Sequence, residues 1–137
     1  LDLAVEKSSQ NPVYYVQYAH ARICSLISNL SAEGVDISDV SLAQLDILDK
    51  PQEIELIRHM ANLPNEVDFA AKSYDPSRIT KYTIELATLF HKFYDACSVK
   101  NAETEELKKA RLVLCEAVRQ VLRNSLTMLK IECPEKM

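Results

Sequence analysis

Only one glycine, Gly34, occurs in 137 residues. Loops that wrap a phosphate need several glycines, because backbone amides must approach the anion closely and often at positive φ. A chain this poor in glycine does not build a self-contained ATP or dinucleotide site. What it can build is helices. Apolar residues recur at helical spacing along most of the chain, no segment alternates for long enough to read as a strand, and most of the prolines stand where a helix would start.

Those breaks define the elements. A first long helix is expected from Pro12, capped by Asn11, to about Leu30, since proline is favoured in the first turn, where its missing N–H would be unpaired anyway. Gly34 opens a polar loop, and 35–50 reads as a linker with one helical turn. Further helices are expected from Pro51 to about Asn62, from Pro64 to about Tyr74, from Asp75-Pro76-Ser77 through Cys97, and from about Glu103 to Ile131. No repeat or low-complexity segment interrupts them. The expected class is all-α, an antiparallel bundle of about five helices.

Size and composition bound the function. The length suits one domain with one core. No apolar run approaches the roughly 18 residues needed to cross a bilayer, and no signal peptide pattern is present, so a cytoplasmic location is expected. Cys24, Cys97, Cys115 and Cys133 show no paired spacing and His20, His59 and His91 no ligand spacing, which predicts reduced, mostly packed thiols and no metal. The net charge of −4 argues against non-specific binding to the DNA or RNA backbone. It leaves room for reading a few exposed bases, which relies on stacking and base-edge hydrogen bonds.

On a wheel of about 100° per residue, Tyr15, Val16, Ala19, Ile23, Leu26, Ile27 and Leu30 share the apolar arc of the first helix, with His20 at its edge as a packed imidazole. Tyr18 and Arg22 lie off the arc, four residues apart on one strip. In the helix through Cys97, the arc holds Ile79, Tyr82, Leu86, Leu89, Phe90, Phe93 and Cys97, and Tyr94 lies just beyond its edge. In the last helix the arc holds Leu107, Leu114, Ala117, Val118, Val121, Leu122 and Leu129. Lys108, Arg119 and Arg123 line one side of it as a candidate phosphate-contacting stripe. Such residues equally make an ordinary solvated face, and Glu116 lies close by. From the residues alone, a base-reading surface and a helical protein-interaction module both stand, while no nucleophile with a nearby base marks an independent enzyme.

The stretch from Asn11 to Ile23, NPVYYVQYAHARI, closely resembles the segment that opens the anticodon-binding domain of class I arginyl-tRNA synthetases. Glu116-Ala117-Val118-Arg119 resembles the Asp-Ala-Leu-Arg signature of that domain, and VRQVL, Asn124 and the closing PEKM resemble its last helix and terminus. The resemblance spans nearly the whole chain. Ser125 and Lys130 depart from it, standing where the family usually has glycine, which bears on the final turn and the terminal methionine.

The resemblance implies a domain that receives the anticodon stem and loop of tRNA(Arg), with Tyr18, Arg22, Tyr94 and Met137 around the splayed bases. Arginine anticodons share a middle cytosine, the natural base to read. It further implies a parent chain whose catalytic domain, N-terminal to this region, uses ATP to attach arginine to tRNA, with residues 1–10 as the remnant of the connection to it and 11–137 as the anticodon-binding unit. No catalytic residue and no cofactor are expected in this chain itself.

Overall fold

The computed structural model describes residues 2–8 and 10–137. Of the segment read as a connection, Leu1 and Ser9 therefore lie outside the described residues. A single helical turn, α1 (Asp2–Val5), precedes α2 (Pro12–Ala32), a six-residue 3-10 helix (Leu42–Ile47), α3 (Pro51–Ala61), α4 (Leu63–Ser73), α5 (Ser77–Ala96) and α6 (Glu105–Met128). The described residues form no strand, and the all-α bundle is as expected from the sequence. The linker 35–50 holds more structure than one turn, because Ser41 N donates to Gln44 Oε1 at 2.6 Å and starts the 3-10 helix.

Local chemistry sets the boundaries. Asn11 Oδ1 accepts from Val13 N at 3.0 Å, as an N-cap with proline in the first turn. Thr104 Oγ1 accepts from Leu107 N at 3.1 Å and starts α6, with Glu105 and Glu106 complementing the dipole. Three helices end alike. Val35 N reaches Leu30 O, Asp75 N reaches Ala70 O and Ile131 N reaches Leu126 O, all at 2.9–3.0 Å, each around a residue in the left-handed region: Gly34 (φ 89), Tyr74 (φ 53) and Lys130 (φ 59). Lys130 thus takes the conformation that glycine adopts without strain, and α6 stops at Met128 rather than Ile131.

Helix α5 packs on α2, α3, α4 and α6, while α2 also packs on α6. Leu86, Phe90 and Phe93 of α5 are fully buried with Ile23, Leu56, Val118 and Leu122. Two assignments for the last helix change. Ala117, expected in the core, is exposed, and Arg111, outside the expected arc, is buried. The cause is polar. Glu53, fully buried, accepts from Arg111 Nε at 2.6 Å and from Lys50 N at 2.9 Å, and Arg111 also donates to Ser98 O at 2.8 Å. One carboxylate thereby caps α3 and ties it to α6, which turns α6 so that Arg111, Leu112 and Cys115 face inward.

Breaking a buried pair leaves an uncompensated charge, so Arg111→Met should destabilise the fold by about 3 to 5 kcal/mol, with Glu53→Leu added on top recovering part of the loss. Denaturant titration of the three proteins measures it. By contrast Lys130→Gly should stabilise by about 1 kcal/mol, the relief of left-handed strain net of glycine's extra freedom when unfolded; an unchanged or lower urea midpoint would contradict that.

Candidate functional site

Tyr18, Arg22 and Tyr94, separated by up to 76 positions, come together where α2 crosses α5. The Arg22 guanidinium carbon lies 4.1 Å from the centroid of the Tyr94 ring and 5.9 Å from that of Tyr18. Phe90 packs against Tyr94 from the core side at 5.9 Å. Tyr18 is 44% exposed, which suits a ring with a face toward solvent. No carboxylate pairs with Arg22 among the described residues. A guanidinium held by aromatic faces alone keeps its donors for an incoming group.

His91 completes the cluster and was not singled out from the sequence. Its ring lies 6.2 Å from Tyr18, nearly parallel at 28°, and 5.1 Å from Tyr15. Burial, with a smaller contribution from Arg22, holds its pKa below the usual value. The signal was its spacing: His91 and Tyr94 are three apart on a helix and share a face.

The three residues of the basic stripe are each engaged. Lys108 pairs with Glu105 at 3.0 Å, Arg119 with Glu116, and Arg123 with Glu135 at 3.3 Å. Lys108 is eleven residues before Arg119 along α6, about 16 Å away, so the stripe is not one patch.

Met137 reaches α2 by a tail that crosses it. His20, fully buried, donates from Nδ1 to the carbonyl of Pro134 at 2.9 Å, and Gln17 Nε2 donates to the carbonyl of Glu132 at 2.8 Å. This agrees with a packed imidazole having one nitrogen satisfied. Met137, 52% exposed, then lines a cleft of about 490 Å³ with Tyr14 and Gln17. Neither Arg22 nor Tyr94 lines it. The final methionine therefore stands beside the same helix as the aromatic cluster, with its cleft toward the start of α2.

No group of three or more His, Cys, Asp or Glu side chains able to hold a metal occurs among the described residues, and no described helix is long and apolar enough to cross a membrane. The arrangement defines an all-helical module that displays stacked rings and a guanidinium with no carboxylate partner among the described residues. The family model described as the DALR anticodon binding domain matches residues 16–137, and the chain belongs to that family. It is 49% identical over its full length to an arginine-tRNA ligase of Ruminiclostridium cellulolyticum and 47% identical to one of Acetivibrio thermocellus, spanning 24% of each. Among solved structures it is similar to an arginyl-tRNA synthetase from Campylobacter jejuni, with a TM-score of 0.83 and 30% identity over 98% of this chain and 28% of that one. The match to the Thermus thermophilus arginyl-tRNA synthetase has a TM-score of 0.75 at 28% identity, over 90% of this chain and 21% of that one.

The histidines set an acid limit. Burial lowers the pKa of both His20 and His91. Their neutral forms favour the folded state fully above about 6.5, the unfolded value, and the unfolded chain gains protons first as pH falls below it. The melting midpoint should hold steady from about pH 8 to 7 and fall progressively below about 6.5, with a shallower fall in His91→Gln. A midpoint independent of pH down to about 5 would contradict this.

Proposed function

We propose that this chain reads the anticodon of tRNA(Arg) as part of an arginine-tRNA ligase, whose catalytic domain elsewhere in the parent chain uses ATP to join arginine to tRNA in the cytoplasm. The observation that carries the reading is the Arg22 guanidinium held over Tyr94 and beside Tyr18 without a carboxylate partner. An unstacked base can lie on an exposed tyrosine ring while a fixed planar fork donates to its edge. The edge of cytosine offers O2 and N3 as acceptors, which suits the donor-only guanidinium, and the middle anticodon base common to arginine is cytosine. Residues 11–137 form the reading unit, and residues 1–10 lead from the catalytic domain. Met137 closes the surface beside α2 as a polarizable cap. Lys108, Arg119 and Arg123 contact phosphates by exchanging their carboxylate partners for the RNA backbone, a modest contribution with modest salt dependence.

A protein-binding module is the second reading, and one observation favours it: an apolar groove of about 860 Å³ between α4 and the end of α6, lined by Leu63, Val67, Thr127 and Met128. It lies apart from the aromatic cluster, although Arg123 also lines it. Met128→Ala, which adds no charge beside Arg123, should leave stem-loop binding unchanged under the first reading.

Binding of the chain to an arginine anticodon stem-loop, beside one with the middle cytosine changed, tests the proposal. Tyr18→Ala should weaken cognate binding by roughly one to two orders of magnitude, the loss of a stacked base at about 1 to 3 kcal/mol, with a far smaller shift in melting than Ile23→Ala. Arg22→Lys keeps the charge but loses the fork, and should reduce preference for the middle cytosine more than total affinity. If Tyr18→Ala binds like the wild type, or unfolds as readily as Ile23→Ala, the reading pocket is misplaced. Arg119→Ala or Arg123→Ala should lower affinity equally for cognate and changed loops; an effect on discrimination alone would remove both from the phosphate contacts.

A further inference from the structure

Gln17, His20 and Cys24 follow one another at helical spacing and share one strip of α2. The tail is pinned to that strip at two carbonyls, Glu132 on Gln17 and Pro134 on His20, and Glu135 is tied to Arg123 of α6. Cys133 lies between the two pinned carbonyls. The Cys24 sulfur rests against the His20 ring, 3.8 Å from Nδ1, the nitrogen that holds Pro134. The two thiols are close enough to feel each other's charge, and each has a guanidinium beside it, Arg119 at Cys24 and Arg123 at Cys133. Both are only partly buried, whereas Cys97 and Cys115 are buried. Burial pushes the Cys115 thiol up to about 12, which keeps it protonated and inert. Outside the helices, no backbone–backbone hydrogen bond of the described residues involves 132–137. The tail can therefore carry Cys133 to bonding distance of Cys24 without opening a helix.

We infer that Cys24 and Cys133 form a thiol-exchange site that takes small-molecule disulfides and closes into an internal disulfide between α2 and the tail. The Cys24 thiolate, with the Arg119 cation beside it, attacks one sulfur of R–S–S–R. The Cys24–S–S–R bond forms, the original S–S bond breaks and RS⁻ leaves. The Cys133 thiolate then attacks the Cys24 sulfur of this mixed disulfide and displaces the second RS⁻. Two cysteines are thereby oxidised by two electrons, the small disulfide is reduced to two thiols, and the two cysteine protons end on those thiols. The order follows from the surroundings. Burial holds the Cys133 thiol above its ordinary pKa, with Arg123 working against it, so Cys133 suits the internal step, where the target sulfur is held next to it.

The test uses hydroxyethyl disulfide as the probe. The chain is incubated with it, alkylated and digested without reductant, and the peptides are weighed by mass spectrometry. Peptides joined through Cys24 and Cys133 should appear in a chain that stays monomeric, with Cys97 and Cys115 unmodified until the chain is unfolded. Cys133→Ser should stop at the mixed disulfide on Cys24. In Cys24→Ser, Cys133 should react roughly tenfold more slowly than Cys24 does in Cys133→Ser. The linked chain should also melt at a higher temperature than the reduced one, because a bridge across so long a loop restricts the unfolded state, and a reductant should reverse the rise. A chain that stays unlinked while its melting shows it folded overturns the proposal. So does linkage to a second copy, or a small adduct on each cysteine without a bond between them. Should a serine variant melt well below the wild type, the alanine variant at the same position is read in its place.

Discussion

The buried pair between Glu53 and Arg111 fixes the arrangement on which everything else rests. A carboxylate with no solvent exposure is tolerated only because both its oxygens are used, one by Arg111 and one by the backbone of Lys50. The same arginine reaches Ser98 in the connection between α5 and α6. Three segments that meet only in the folded chain are thus held to one register, and an error in that register would leave a charge stranded. Because α5 packs between α3 and α2, the placement of Tyr94 against Arg22 follows from this anchor two layers away.

The site itself depends little on net charge. For a chain of net charge −4, selectivity under the proposed reading sits where a cation is held by rings rather than by a carboxylate. Arg119 and Arg123 are neutralised by glutamates at rest, whereas Arg22 is shielded by two rings that hold it without satisfying its donors. Attraction to any polyanion is thereby kept low, while the donors of Arg22 stay open. The familiar association of basic stripes with nucleic acid is a poor guide here.

Helix periodicity and proline placement carried most of the fold because both act locally: Asn11 and Thr104 start helices through bonds to residues two and three positions away, and Pro12 and Pro51 through a fixed φ in the first turn, where a missing N–H goes unneeded. The wheel also left Tyr18 and Arg22 off the apolar arc, and their half-exposure follows from that. What stayed illegible was non-local. Arg111 looks like any surface arginine until Glu53, fifty-eight residues away, is brought against it, and that pairing rotates α6 enough to expose Ala117. Tyr74 occupies a left-handed position that a glycine would normally mark, whereas at Lys130 the family's usual glycine points to the final turn. Met137 could be assigned only by family resemblance, since nothing in the spacing of PEKM says that it returns to α2.

The bond from His20 to Pro134 joins positions 114 residues apart. Closing so long a loop carries a large entropic cost that only the finished bundle can offset. Tyr14, Tyr18 and Arg22 lie close together in sequence on α2, yet the cleft beside Tyr14 gains its opposite wall only from the segment 132–137. A folding chain therefore displays the aromatic strip of α2 before the tail packs against it, and any fluctuation that lifts the tail opens the cleft while leaving the helices intact.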